Sequence, residues 1–146
     1  MTVHVERRSL PYTPTQLFDL VADVERYPEF VPGVREVRAR RRDPNTIIAE
    51  MTIGVGPLRR RFTSSGALDP PRRIQITSDD PIFRRFRQAW TFTPSLNCGA
   101  EVEFCADIEF RSPLLAAMAA PLVSGAAPGM IRAFARRAEE RYGSSL

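Results

Sequence analysis

Residues 100–110 read AEVEFCADIEF. Val102, Phe104, Ala106, Ile108 and Phe110 fall on one side of an extended chain, and Glu101, Glu103, Cys105, Asp107 and Glu109 fall on the other. Side chains alternate with period two along a strand, so this stretch predicts a strand with one face on a core and one in water. The same parity groups Phe86, Trp90 and Phe92 on the segment before it, and Phe62, Gly66 and Leu68 on an earlier one. Their shared inner surface is aromatic-rich, and a concave sheet is expected.

The alternation extends upstream through Val34–Arg41, Ile47–Val55, Arg59–Leu68, Arg73–Ser78 and Arg84–Thr93, before the strand at Ala100–Arg111. Turn residues separate these segments: Asp43-Pro44-Asn45, Gly56-Pro57, Asp69-Pro70-Pro71, Asp79-Asp80-Pro81 and Pro94 to Gly99. Connections this short join antiparallel neighbours, not parallel ones. Val3-His4-Val5-Glu6 adds a seventh strand at the N-terminus, read with the valines inward and His4 outward. On the outer face, the acidic stripe of 101–109 is expected to pair with Arg85, Arg87 and Arg8. Glu50 is the one candidate for an inward carboxylate.

Two helical patterns frame the sheet. Thr13 is placed to cap a helix whose first residue is Pro14, with Leu17, Phe18, Leu20, Val21 and Val24 giving its apolar face. It ends before Pro28, and Tyr27–Pro32 forms a short aromatic, proline-bracketed loop or turn. Ser112-Pro113 opens the last helix. Leu115, Met118 and Leu122 share one face of it, and Ile131, Phe134, Ala138 and Tyr142 resume the stripe up to Gly143. Pro121, Gly125 and Pro128 interrupt it, and Ala120 and Ala127, each before a proline, are biased away from helical dihedrals. A kink or break within 121–128 is expected, forming a lid with the Tyr27–Pro32 loop. The order of elements predicts one α+β domain spanning 1–146.

Composition narrows the function. Of the 146 residues, 43% are hydrophobic and 26% charged, which excludes a disordered tail or a disulfide scaffold. Ser112–Ile131 is uncharged but is mostly Ala, Pro, Ser and Gly, too poor in large apolar side chains for a membrane span. The start lacks a signal-peptide pattern, so a cytoplasmic protein with reduced thiols is expected. Nothing matches a nucleophile elbow, a zinc-protease helix, a P-loop or a dinucleotide fingerprint. His4 is the only histidine, and Cys98 and Cys105 are too far from any ligand cluster to suggest zinc. Cys105 has acidic neighbours, the wrong surroundings for a reactive thiolate.

The net charge is +4, and every basic residue is arginine. Arg40-Arg41-Arg42, Arg59-Arg60-Arg61, Arg72-Arg73 and Arg84-Arg85 lie near strand ends, where a rim for phosphate could form. No aromatic residues interleave with them as in single-strand RNA binders. Arg41, Arg60 and Arg84 are the candidate contacts to an anionic membrane.

The stretch LPYTPTQLFDLVADVERYPEFVPGV at 10–34 resembles the opening of the coenzyme Q-binding START-like family, within the polyketide cyclase/dehydrase group. Phe62-Thr63-Ser64, Leu68-Asp69-Pro70-Pro71, Pro81 to Trp90-Thr91-Phe92, Phe110-Arg111-Ser112, and Ala133-Phe134 through Tyr142-Gly143 extend the resemblance over nearly the whole chain. It implies a helix-grip fold: a curved, seven-stranded antiparallel sheet around a long C-terminal helix, with short N-terminal helices. It also implies a non-enzymatic carrier or chaperone of a polyprenyl quinone such as ubiquinone, serving quinone biosynthesis and respiration, with no covalent cofactor, metal or DNA partner. A peripheral position on the inner membrane would suit that role. Two alternatives stay open: a ribosome-associated, toxin-like regulator of subunit joining, and a small polyketide cyclase or aromatase.

The expected cavity draws on three parts of the chain. The N-terminal loop supplies Tyr27, Phe30 and Val31. The strands supply Met51, Phe62, Ser64, Phe86, Gln88, Trp90 and Phe104, and the last helix Met118, Leu122, Met130 and Phe134. Ser64, Ser78 and Gln88 are the inner-parity polar groups available to quinone carbonyls.

Overall fold

The computed structural model describes residues 3–31, 33–117 and 126–143. Strand β1 (Val3–Leu10) leads to helix α1 (Pro14–Ala22) and a 3-10 helix, Val24–Glu29. Strands β2 (Val34–Asp43), β3 (Thr46–Val55), β4 (Leu58–Asp69), β5 (Arg73–Thr77), β6 (Phe83–Pro94) and β7 (Ala100–Phe110) follow, and helix α2 (Ala126–Tyr142) ends the fold. All seven strands form one antiparallel sheet in the order β1-β7-β6-β5-β4-β3-β2. The curved sheet wraps α2 in a START-like helix-grip fold.

Local chemistry accounts for the first helix. The Thr13 hydroxyl accepts from the Gln16 N–H at 3.1 Å, and the Gln16 side chain accepts from the Thr13 N–H at 3.0 Å. This reciprocal capping box satisfies two donors that a helix start leaves unpaired, and Pro14 needs none. Gly33, which follows the 3-10 helix, has a φ of 83°, a backbone conformation that favours glycine, and its carbonyl accepts from the Gly54 N–H.

The core lies between the inner sheet face and the helices. Val102, Phe104, Ala106, Ile108 and Phe110 are buried, as the alternation of β7 requires. Tyr12 donates to the Gly143 carbonyl at 3.0 Å, Tyr142 donates to the Gln16 carbonyl at 3.1 Å, and Arg141 pairs with Asp23 at 3.6 Å. These contacts tie the end of α2 to α1.

The parity assigned to β1 is overturned. Val3 and Val5 are 55% and 57% exposed, while His4 and Glu6 lie opposite Ala106 and Phe104, on the inner face. Register sets the facing of an edge strand: Leu10 is buried opposite Ala100, and that fixes the even-numbered residues inward. Arg8 therefore faces inward, opposite Val102, and Arg7 pairs with Glu103 at 2.6 Å in its place. The rest of the outer stripe is closer to expectation. Arg85 reaches Asp107 at 2.9 Å and Glu109 at 3.1 Å, and Arg87 stands opposite Asp107 in register. Glu50 is exposed on the outer face, 3.5 Å from Arg61, so it is not the inward carboxylate.

Residues 113–117 and α2 are helical, and α2 contains both Ala127 and Pro128, so Ala127 does not break the helix. The expected break at Pro121, and with it the lid, lies outside the described residues.

Candidate functional site

An apolar cavity lies between the middle of the sheet and the helices. Its volume is about 140 Å³. Strands β3 and β4 supply Ala49, Met51, Phe62, Ser64 and Gly66; β6 and β7 supply Phe83, Phe86, Gln88, Ile108 and Phe110. Val21, Tyr27, Val31 and Met130 close it from the helical side.

Phe62, Phe83, Phe86 and Phe110 form one side of the cavity, with ring centroids 4.8–5.4 Å apart. Register explains the opposite, smaller surface. Ala49 stands beside Ser64 across β3 and β4, and Gly66 lies in line with Ile76 and Gln88 across β4, β5 and β6. Large rings to one side and small residues to the other leave room that a uniformly large set would fill. Val34, Ile53 and Met130 are half-buried and line one end of the cavity. Two register shifts, at Val34/Glu36 and Phe83/Arg85, fall at this end of the sheet, where bulges bend strands away from regular pairing.

Little in the lining is ionisable. Burial pushes the Tyr27 phenol well above its ordinary value, and its hydroxyl already donates to the Val21 carbonyl. Ser64 is 5% exposed and borders the cavity. Gln88 is the other polar lining side chain. Among the described residues, no histidine, carboxylate or cysteine lines the cavity, and no group of three side chains could hold a metal ion.

Of the residues expected at the cavity, Tyr27, Val31, Met51, Phe62, Ser64, Phe86, Gln88 and Met130 line it. Trp90, Phe104 and Phe134 instead form a packed cluster beside it, with Trp90 4.6 Å from Phe104 and 4.9 Å from Phe134 between ring centroids. Phe30 packs on Phe134 at 4.9 Å, beneath the Arg137 guanidinium at 5.1 Å. Met118 and Leu122 lie outside the described residues. Ser78 turns away: its hydroxyl donates to the Thr63 carbonyl at 2.5 Å. Ala49, Gly66, Ile74 and Ile108 are lining residues that parity alone could have supplied, since each shares the inner face of its strand.

The half-buried pair His4 and Glu6 forms a second inner-face feature, outside the cavity lining. Burial raises the Glu6 carboxyl, and nearby Arg8 and Arg132 oppose that shift. Cys105 is raised by burial and by Glu103, which keeps it a thiol.

The candidate anion contacts separate in space. Arg60 lies opposite Ile53, whereas Arg41 sits at the far hairpin and donates to the Pro44 carbonyl at 2.8 Å. Arg84 lies 3.9 Å from Glu109. Among the described residues, no helix is long and apolar enough to cross a membrane.

A family model described as polyketide cyclase / dehydrase and lipid transport matches residues 10–135. A ribosome association toxin, RatA, of Pseudomonas aeruginosa is 33% identical over 144 residues, covering 98% of this chain and 100% of that protein. The mitochondrial coenzyme Q-binding protein COQ10 of Dictyostelium discoideum is 28% identical over 142 residues, covering 94% of this chain and 69% of that protein. The solution structure of the 18 kDa protein CC1736 from Caulobacter crescentus superposes with a TM-score of 0.76 at 37% identity, covering 99% of this chain and all of that one.

Proposed function

The chain belongs to the polyketide cyclase / dehydrase and lipid transport family, and we propose that within it this protein is a non-enzymatic carrier or chaperone of a polyprenyl quinone. On this proposal residues 1–146 act as one lipid-binding domain, serving quinone biosynthesis and respiratory electron transport. The carrying observation is the apolar cavity beside the sheet, whose described lining offers hydrocarbon, two uncharged polar side chains and a tyrosine already hydrogen-bonded. Burying apolar surface suits an isoprenoid: each methylene contributes about 0.8 kcal/mol, so one five-carbon unit contributes roughly 3–4 kcal/mol. The likeness to a coenzyme Q-binding protein supports the same ligand class.

Acid–base chemistry is less well supported. A cyclase needs a group that can gain or lose a proton beside its substrate. Glu6 and His4, the inward ionisable groups of β1, are not among the residues lining this cavity.

A second reading, a ribosome-associated regulator, is favoured by the likeness to RatA and by the exposed arginines of β2 and β4. Mass spectrometry of lipids co-purified from the native host separates the two, together with quinone quenching of Trp90, the only tryptophan. Co-purified quinone and saturable quenching are expected. Ribosome co-sedimentation with neither of these would overturn the carrier reading.

A further inference from the structure

We infer that the ligand enters ring first, with a ring oxygen accepting the Ser64 hydroxyl proton and the ring seated over Gly66. This rests on the quinone reading above and adds an orientation and a polar contact to it.

Size comes first. At about 140 Å³ the cavity is close to the roughly 150 Å³ of an apolar cavity that holds one benzene. A space of that size holds one ring, and not a chain of several isoprene units. Whichever end of the lipid enters, the other must lie outside the cavity.

Polarity then selects the end. Apart from the tyrosines, Ser64 is the one polar side chain that is nine-tenths buried among the described residues, and it borders the cavity. A buried hydroxyl in apolar surroundings is unfavourable until something accepts its proton. An isoprenoid tail has no acceptor, whereas a quinone ring carries carbonyl oxygens.

The shape of the floor agrees. Ser64 lies four residues along β4 from Arg60, about 13 Å at strand rise. Beside Ser64, Ala49 and Gly66 keep the floor low. A methyl group added at Gly66 would meet nothing closer than the Ile47 carbonyl oxygen at 3.8 Å, so the space above it belongs to the cavity. Gln88, two strands from Gly66 in the same row, brings a second donor to a ring lying there.

The test is isothermal calorimetry on the full chain with three probes. They are a dimethoxy-methyl-benzoquinone without a tail, the same ring with two isoprene units, and 2,6-dimethyl-2,6-octadiene, a two-isoprene hydrocarbon with no oxygen. Ser64→Ala is expected to weaken both ring probes roughly threefold to tenfold, the effect of one lost hydrogen bond, and to leave the hydrocarbon unchanged. Gly66→Ala, which the backbone accommodates, is expected to weaken the tailless ring most. Equal ring affinities in wild type and both variants, with quinone still bound, would overturn the orientation and leave the carrier reading standing. Hydrocarbon binding with no binding of the tailless ring would place the tail inside. Failure of every probe to bind wild type would remove the quinone reading and this inference with it.

Discussion

Phe134 tests whether the aromatic cluster beside the cavity is core or binding surface. Its ring is 3% exposed and meets three others, with centroids at 5.3 Å to Tyr27, 4.9 Å to Phe30 and 4.9 Å to Trp90. Truncating a core phenylalanine to alanine costs about 3–5 kcal/mol. Three edge-on partners place Phe134→Ala near about 4 kcal/mol, since aromatic pairs contribute beyond their buried area. An unfolding entropy of about 2.1 cal/mol/K per residue gives about 0.3 kcal/mol/K for 146 residues, so Tm should fall by about 13 °C. Urea denaturation followed by far-UV circular dichroism measures the loss, and thermal melts check the shift. A double-mutant cycle with Phe30→Ala should return a coupling of about 0.5–1.5 kcal/mol. A loss below about 1.5 kcal/mol, coupled with abolished quinone binding, would refute this reasoning and make Phe134 part of the binding surface.

Three further outcomes are expected. Thr13→Ala removes one half of the capping box and should lower the urea midpoint by the equivalent of about 1 kcal/mol with an unchanged m-value. Hydrogen bonds from Arg137, then Arg26, hold the Glu29 carboxyl below its ordinary value, so its contribution is complete above the unfolded carboxylate range and is lost as pH falls through the folded value. Arg137→Met should therefore flatten the acid limb of stability against pH below about pH 4.3, and an unchanged limb would count against the pair. Replacing Arg59 and Arg60, which stand opposite Gly54 and Ile53, and Arg35, whose side chain reaches Gly54, with glutamine should weaken co-sedimentation with phosphatidylserine vesicles in a salt-dependent way, by about 1 kcal/mol per residue. The same change at Arg40, Arg41 and Arg42 should have little effect, and the reverse result would move the anion contact to the far hairpin.

Period-two alternation made β7 legible without a structure, because neighbouring residues on one strand must face opposite ways. The same local logic placed the six strands after the first helix to within a few residues, and Thr13-Pro14 marked the start of α1 because a capping box is built from residues three apart. The resemblance running from 10–34 to Tyr142-Gly143 carried the helix-grip architecture. Facing on β1 was not legible: Val3 and Val5 suggest an inner face locally, yet pairing with β7 and the burial of Leu10 put His4 and Glu6 there instead. Parity also could not separate cavity from core. Phe86 and Trp90 share one face of β6, but Trp90 is enclosed by Phe104 and Phe134 while Phe86 borders open space beside Gly66 and Ser64. Whether an inward side chain meets another ring or a void depends on what distant strands and α2 place opposite it, and that is decided only when the sheet closes around the helix.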